Sequence, residues 1–367
     1  MSEREQSVST LELFFDLVFV FTITQLTSVL AHGGLGEGLL RGVLMLGVVM
    51  WMYGGYAWLT NAVAINTTAR RGVLLGAMAA YLVLALAIPH AFAGDGTVFG
   101  IAYLVIVVLH ATLFQLSEFA GSRAGMLRIA PLNLVTGGLL LAGGIAGGDA
   151  QLVLWIAAFA GEWLTPALAG VQSFDIAPGH FVERHGLIVL VTIGESIVAV
   201  GIGASALPLD AEIVGVAVLG LLLSACLWWT YFGGAGDERA ARAMAAAPPP
   251  ERGRLAIVGF GYHHLALLLG IVGVAAGLEV AIAHPFDALD TDPAVYLAGG
   301  AALFLVGHAL FRRAFGIDSG AARFLTAGAL LATIPIGTQG SAVAQLSVEV
   351  ALFAAGLALG ATRADPV

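Results

Sequence analysis

The composition of this 367-residue chain is typical of a protein that lies in a lipid bilayer. Hydrophobic residues make up 59% of the sequence and charged residues only 11%, whereas a soluble globular protein has about 25% charged residues. The single cysteine, Cys226, excludes an intramolecular disulfide. We therefore expect an integral membrane protein that contacts lipids and has no nucleic-acid partner.

Twelve apolar segments follow one another along the chain, each of spanning length or nearly so. A transmembrane helix needs about 20 predominantly apolar residues. The fifth and eleventh segments are short, which suits tilted, broken or partly re-entrant helices. The pattern predicts an all-α, polytopic transmembrane helix bundle of about 12 helices. The segments are residues 13–31, 38–59, 72–92, 98–119, 131–147, 151–170, 187–205, 212–233, 255–282, 294–311, 323–338 and 340–361.

Arginine residues fall in alternate loops between these segments. Arg70 and Arg71 follow the second segment, Arg184 follows the sixth, and only Arg41 lies in a loop of the other set. Cytoplasmic loops carry the excess of basic residues, so both termini are predicted to be cytoplasmic. The opposite loops carry acids, which explains the net charge of −9. The other arginines of the predicted cytoplasmic side are Arg4, Arg123, Arg128, Arg239, Arg242, Arg252, Arg254, Arg312, Arg313, Arg323 and Arg363.

The two halves of the chain resemble one another. In the first and seventh segments, 170 positions apart, Leu17, Thr22 and Ile23 match Leu187, Thr192 and Ile193. His110 in the fourth segment likewise matches His308 in the tenth. Six helices per half is an even number, so both halves enter from the same side and the repeat is parallel. We predict one six-helix repeat over 1–175 and a second over 176–367, with a cytoplasmic loop near 234–254. Coincidence in an Ala-, Leu- and Gly-rich sequence is the competing explanation.

Carboxylates interrupt several of these apolar helices. Asp16 and Glu195 lie within the first and seventh segments, and Glu162 and Glu349 lie in the middle of the sixth and twelfth. An ionised carboxylate near the bilayer centre costs about 2.5 to 3.5 kcal/mol on insertion scales, so such residues usually mark a pathway or a site. A structural hydrogen bond to a neighbouring helix is the alternative for Glu195. Glu12 shares a helix face with Asp16, although the helix dipole also stabilises an anion at that position.

Histidines add titratable groups to the same helices. A neutral imidazole that donates to a backbone carbonyl is their ordinary explanation, yet carboxylate–histidine chains also form the proton relays of pumps and transporters. No helical His-x-x-x-His or Glu-x-x-His pair occurs, so we predict no metal site and no cofactor. We predict a route for a substrate or ion that is lined by Asp16, Glu195, Glu12, His110, His263, His308, Glu162 and Glu349.

Three stretches resemble the signatures of a known family. They are LELFFDLVFV at 11–20, HFVERHG at 180–186 and IGESIVAVG at 193–201. They are similar to the bacterial low temperature requirement A (LtrA) family, and the resemblance extends over essentially the whole chain. It implies a polytopic protein of the bacterial inner membrane. It supplies no substrate and no catalytic residues to carry over.

The buried ionisable groups favour an inner-membrane transporter or ion pathway for an unknown small molecule or ion, with coupling to protons as an option. An intramembrane enzyme that acts on a lipid-like substrate is one alternative, with a carboxylate and a histidine as acid and base. A membrane sensor or scaffold is another. Buried acids that pair off without a cavity would favour the scaffold, whereas a cavity would favour transport.

Overall fold

The computed structural model describes residues 8–171 and 173–361, and within these ranges every regular element is a helix. Arg4 and Arg363, which contributed to the topology prediction, lie outside the described residues. The helices are α1 (Thr10–Gly33), α2 (Leu39–Ala62), α3 (Thr68–Ala87), α4 (Gly96–Phe114), α5 (Ala120–Ala146), α6 (Gly148–Ala169), α7 (Pro178–Ala204), α8 (Ala211–Phe232), α9 (Gly236–Ala246), α10 (Pro249–Leu255), α11 (His264–Ala283), α12 (Thr291–Ala314), α13 (Ala321–Leu331), α14 (Ile334–Gln339) and α15 (Ala342–Ala361).

Several of these helices join into longer runs. In the part of the chain that the structure describes, 11 single helices or joined runs are long and apolar enough to cross a membrane. The first run covers Thr10–Ala62, 53 residues, which would extend for about 80 Å if it were straight. It reverses direction instead. This follows from the contact between Phe19 in α1 and Tyr53 in α2, whose ring centroids lie 4.6 Å apart. Between α1 and α2 the chain passes through a π-helical, glycine-rich segment, Gly34–Gly38. The count of about 12 crossings remains a prediction.

Two predicted boundaries differ from the structure. The fifth segment, predicted over 131–147, is the later part of the 27-residue helix α5. The helix begins earlier, at Ala120. Its first turns, which precede Pro131, contain the polar residues Ser122, Arg123 and Arg128. The segment 234–254, predicted as a loop, contains α9 and most of α10.

The chain forms two compact units. Unit 1 comprises the described parts of 1–26, 41–187 and 241–261. Within it, α4 packs on α3 and α5, and α5 packs on α6. Glycines allow the close approach of α4 and α5, since a Cβ on Gly144 would lie 2.1 Å from the carbonyl oxygen of Gly96. Phe15 and Tyr81 pack edge to face at 5.2 Å in the aromatic core of this unit.

Unit 2 comprises the described parts of 27–40, 188–240 and 262–367. Its main contact joins α11 to α12, where a Cβ on Gly270 would lie 2.5 Å from the backbone nitrogen of Phe304. The eleventh predicted segment is broken here: α13 ends at Leu331 and α14 begins at Ile334. Pro335 has no N–H to donate back to Leu331, which explains the interruption. The predicted division into repeats at 175/176 remains a prediction.

Candidate functional site

In unit 1, a buried ion pair joins the second turns of α1 and α7. Arg184 Nη1 donates to Asp16 Oδ2 at 2.9 Å, and the Tyr53 hydroxyl donates to Asp16 Oδ1 at 3.0 Å. Asp16 and Arg184 are 2% and 1% exposed. The negative charge of Asp16 is therefore balanced by a cation and held by a second hydrogen bond. Sequence reasoning missed Arg184 as this partner.

A second buried pair lies one turn earlier on the same two helices. His180 Nε2 lies 3.0 Å from Glu12 Oε1, and Glu12 Oε2 accepts hydrogen bonds from the backbone N–H and the hydroxyl of Ser9. These hydrogen bonds between Ser9 and Glu12 form a capping box at the N-terminus of the helix. The Asn61 amide is fixed by the backbone of Ala177 and points its Nδ2 toward His180 Nδ1 at 3.3 Å. His180 Nδ1 therefore accepts, and its Nε2 carries the proton and lies beside Glu12 Oε1.

Glu162 in α6 has a different environment. It is completely buried, and its Oε1 forms a short hydrogen bond with the Tyr103 hydroxyl. The same hydroxyl lies 3.1 Å from the carbonyl oxygen of Val48 in α2. Among the described residues, none forms a hydrogen bond with Glu162 Oε2. No ion pair to Glu162 is present among residues 8–171 and 173–361, so this carboxyl lacks the balancing cation that Asp16 has.

Glu349 in α15 repeats this arrangement in unit 2. It is completely buried, and its Oε1 lies 3.0 Å from the Thr333 hydroxyl and 2.9 Å from Gln345 Nε2. The Thr333 hydroxyl also lies 2.7 Å from the carbonyl oxygen of Leu330. Glu349 Oε2 has no hydrogen-bond partner, and the described part of the chain offers no ion pair to it. Again one hydroxyl lies between a buried glutamate and a backbone carbonyl.

His110 lies beside a cavity of about 70 Å³ in unit 1. It is 2% exposed, and neither of its ring nitrogens makes a hydrogen bond of normal geometry in the described structure. Gly55 on α2 approaches the ring closely, since a Cβ on it would lie 3.1 Å from His110 Nε2. The side chains that line this space, which we call the unit 1 cavity, include Trp51, Trp58, Trp163, Asn133 and His185. None of the described lining residues carries a formal charge at neutral pH.

The remaining predicted residues belong to unit 2. His308 is buried, and its Nδ1 accepts a hydrogen bond from Arg323 Nε at 3.2 Å. His264, rather than His263, is the completely buried member of the His263–His264 pair, and its Nε2 lies 2.9 Å from the Tyr231 hydroxyl. Glu195 is 2% exposed within α7. The statement that these residues line a route remains a prediction.

Sequence reasoning identified the buried acids better than their partners. Tyr53 and Tyr103 were missed, although a tyrosine inside an apolar helix is a signal, because its hydroxyl usually finds a hydrogen-bond partner when it is buried. Asn61 was missed for a different reason. It lies at the end of α2, where an amide side chain is commonplace.

The helices and their hydropathy define a multi-pass helical membrane protein. Residues 7–361 match the family model described as "Bacterial low temperature requirement A protein (LtrA)", so the chain belongs to the LtrA family. It is 29% identical over 319 residues to a protein of Rhizobium meliloti (strain 1021) described as "Uncharacterized protein RA0937", with 82% of this chain and 76% of that protein covered. No solved structure matches the chain significantly.

Proposed function

We propose that this protein is a transporter of the bacterial inner membrane and that the unit 1 cavity is its solute site. The observation that carries the proposal is His110, a buried imidazole that faces a cavity and makes no hydrogen bond of normal geometry within the described part of the chain. A buried polar group normally has a partner because leaving it unpaired is unfavourable. A solute with a hydrogen-bonding group would supply the one that is missing.

The lining of the cavity favours a compact amine cation. An anion would find no arginine or lysine side chain among the described lining residues. The N–H groups of a protonated amine would donate to the neutral imidazole, and the faces of Trp51, Trp58 and Trp163 would attract its positive charge. An engineered cavity of about 150 Å³ holds benzene, so a cavity of about 70 Å³ suits a solute of only a few heavy atoms.

The cavity lies near helix ends that lead into arginine-rich loops. Trp58 lies near the end of α2, and Ala256 and Gly261 closely follow Arg252 and Arg254. Under the positive-inside rule these ends are cytoplasmic, which agrees with the proposed cytoplasmic location of both termini. The solute site would then open from the cytoplasmic side.

We further propose 12 crossings in two parallel six-helix repeats. The proposal is supported by the first helical run, which doubles back, so that 11 runs would give 12 crossings. Similar contacts also recur in the two units. Gln151 Nε2 donates to the carbonyl of Ala91 in unit 1, and Gln345 Nε2 donates to that of Ala294 in unit 2.

The predicted route residues divide into groups under this proposal. His110 contacts the solute and Glu162 directly precedes the lining residue Trp163, while Asp16 and Glu12 hold α1 to α7 through their cationic and imidazole partners. Glu195, His263, His308 and Glu349 remain proposed route residues of unit 2.

Uptake of radiolabelled methylammonium into proteoliposomes tests the proposal. We expect faster uptake than into protein-free liposomes, and inhibition by excess unlabelled methylammonium. Tetraethylammonium, which is too large for the cavity, should not inhibit. Gly55→Ala would place a methyl group 3.1 Å from His110 Nε2. If overcrowding of the site costs about 1 to 3 kcal/mol, as overpacking typically does, apparent affinity should fall by about 5- to 150-fold.

Gly138→Ala is the matched control, because a Cβ at this glycine of α5 meets no atom within 4 Å. It should transport as the unmodified protein does. Equal uptake by the Gly55→Ala and Gly138→Ala proteins would contradict the placement of the solute site. Uptake no faster than in protein-free liposomes would contradict amine transport.

A scaffold is the second candidate, because the pairing of Asp16 with Arg184 and of Glu12 with His180 is what that alternative predicts. The unit 1 cavity argues against it. A scaffold would show no saturable methylammonium uptake, and filling the cavity would change only its stability.

A further inference from the structure

We propose that Glu162 binds the proton that is coupled to transport, and that the Tyr103 hydroxyl transmits its protonation state to α2. This inference rests on the proposed function, since it names the coupling ion of the same transporter. It starts from the burial of Glu162, the two acceptors around Tyr103 and the place of Glu162 directly before Trp163, which lines the unit 1 cavity.

The surroundings of Glu162 favour a neutral carboxyl. The side chain is completely buried in α6, and an ionised carboxylate without a nearby cation is very unfavourable in such a place. The groups that face it are the hydroxyls of Tyr81 on α3, Tyr103 on α4 and Thr136 on α5. None of these is a cation at any pH.

The hydrogen bonds around Tyr103 are complete only when Glu162 is protonated. A tyrosine hydroxyl has one hydrogen to donate, yet Tyr103 has two acceptors within reach, Glu162 Oε1 and the carbonyl oxygen of Val48 at 3.1 Å. With a neutral carboxyl, Glu162 donates to the Tyr103 oxygen and Tyr103 donates to Val48. With a carboxylate, Tyr103 donates to Glu162, and the Val48 carbonyl loses its bond from the hydroxyl.

Loss of the proton would therefore alter a contact between α4 and α2. Val48 lies less than one turn before Trp51, and Trp51 lines the unit 1 cavity. On the other side, Glu162 directly precedes Trp163, another lining residue. The Thr136 hydroxyl donates to the carbonyl of the lining residue Asn133 at 3.0 Å. Protonation of Glu162 and occupancy of the cavity would thus both act on α2, α5 and α6.

The charge balance of the exchange is simple. When a protonated amine enters the cavity, Glu162 releases one proton to the water on that side, so the net charge of the site is unchanged. When the amine leaves on the other side, Glu162 takes up one proton there. The structure thus points to exchange of one amine cation for one proton.

Infrared spectroscopy of the purified protein tests the protonation state without any solute. A protonated carboxyl has a C=O stretch that a carboxylate lacks. We expect this signal at neutral pH to contain a contribution that disappears in Glu162→Gln and moves to higher frequency in Tyr103→Phe, which removes the hydrogen-bond acceptor of the acid. Tyr81→Phe is the matched control, because the Tyr81 hydroxyl has no hydrogen-bond partner in the described structure, and it should leave the signal in place.

Loss of a carboxylate signal in Glu162→Gln, with the protonated signal unchanged, would overturn the inference. Because Tyr103→Phe retains Glu162, it keeps the test decisive if Glu162→Gln does not fold. No change in frequency in Tyr103→Phe would exclude the proposed hydroxyl switch.

Transport measurements test the coupling itself. A pH gradient should drive accumulation of methylammonium faster with the unmodified protein than in protein-free liposomes, whereas Glu162→Gln should exchange labelled for unlabelled methylammonium but accumulate it no faster than protein-free liposomes do. Accumulation by Glu162→Gln equal to that of the unmodified protein would overturn the coupling role. If no variant transports methylammonium, the proposed solute is wrong, while the infrared result on Glu162 stands by itself.

Discussion

Two buried carboxyls of unit 1 differ in what surrounds them. Asp16 has a guanidinium at 2.9 Å and a phenolic hydroxyl at 3.0 Å, whereas Glu162 has hydroxyl groups and no cation among the described residues around it. Both are almost fully shielded from solvent. Burial alone therefore does not distinguish a structural acid from a proton-binding one. The two kinds of acid differ in whether a cation balances the charge of the carboxylate.

Arg184→Met should have the largest effect on stability, because it leaves the Asp16 charge buried without a cation. Breaking a buried ion pair from one side costs about 3 to 5 kcal/mol. Chemical or thermal unfolding in detergent measures the change. The double variant Asp16→Asn/Arg184→Met is the control, and it should recover much of the loss, since replacing a whole buried pair is often nearly neutral. Equal destabilisation of the single and double variants would mean that the charge of Asp16 is not the cause.

Tyr53→Phe should have a smaller effect than the loss of either charge of this ion pair. It removes the hydroxyl that donates to Asp16 Oδ1, and a hydrogen bond to a charged group contributes about 1.5 to 3 kcal/mol. The free energy of unfolding measures the loss. Tyr81→Phe is the matched control in the same aromatic core, and it should be neutral or stabilising because its hydroxyl lacks a hydrogen-bond partner within the described structure. Similar losses in the two variants would indicate a packing effect.

Glu162→Gln should change stability by only about 1 kcal/mol, because glutamine resembles a neutral glutamic acid in shape and can donate to Tyr103. Asp16→Asn, compared in the same unfolding experiment, should cost about 3 to 5 kcal/mol, since it leaves Arg184 unbalanced. Equal effects would remove the distinction between the two carboxyls.

Asp318 lies outside the helices and forms ion pairs with arginines, which should contribute less to stability than buried pairs do. Arg312 Nε lies 2.7 Å and Arg323 Nη1 3.2 Å from its Oδ2. Burial acts to raise the pKa of Asp318, but the hydrogen bond and charge of Arg312, together with the charge of Arg323, outweigh it and lower the pKa below its usual value. Because water screens this partly exposed cluster, we expect Asp318→Asn to cost no more than about 1 kcal/mol at neutral pH.

The pH dependence of that contribution has a definite sign. A carboxyl whose pKa is lower in the folded state stabilises the fold above its unfolded pKa, which is about 3.9 for aspartate. The difference in stability between the unmodified protein and Asp318→Asn should shrink as pH falls below that value and through the lower folded pKa. A difference that grows on acidification would contradict the assignment. Unfolding curves at neutral and acidic pH measure it.

The fold class was predictable, but several boundaries were not. Hydrocarbon-rich segments must be helical in a bilayer, because each backbone N–H and C=O needs a partner within its own segment. Hydropathy could not predict the early start of α5 at Ala120, since polar residues such as Arg123 are equally compatible with a loop. Nor could it predict that the connection between the first two apolar segments, at Gly34–Gly38, is itself helical.

For the candidate site, the sequence identified the unusual acids but not their roles. Asp16 and Glu162 are alike as carboxylates in apolar helices, and the residues that separate them, Arg184 and Tyr103, lie 168 and 59 positions away along the chain. Helix packing decides which of these side chains meet. The unit 1 cavity was equally hidden, because its lining comes from separate helices.

The amino-acid sequence by itself determined that this is a helical membrane protein with titratable groups in its interior, because the cost of exposing a polar backbone or a charge to lipid depends on local composition. Only the tertiary structure decided which buried carboxyl has a cation and which shares a single hydroxyl hydrogen with a backbone carbonyl. Those states depend on contacts of a few ångströms between distant segments, and local composition does not specify them.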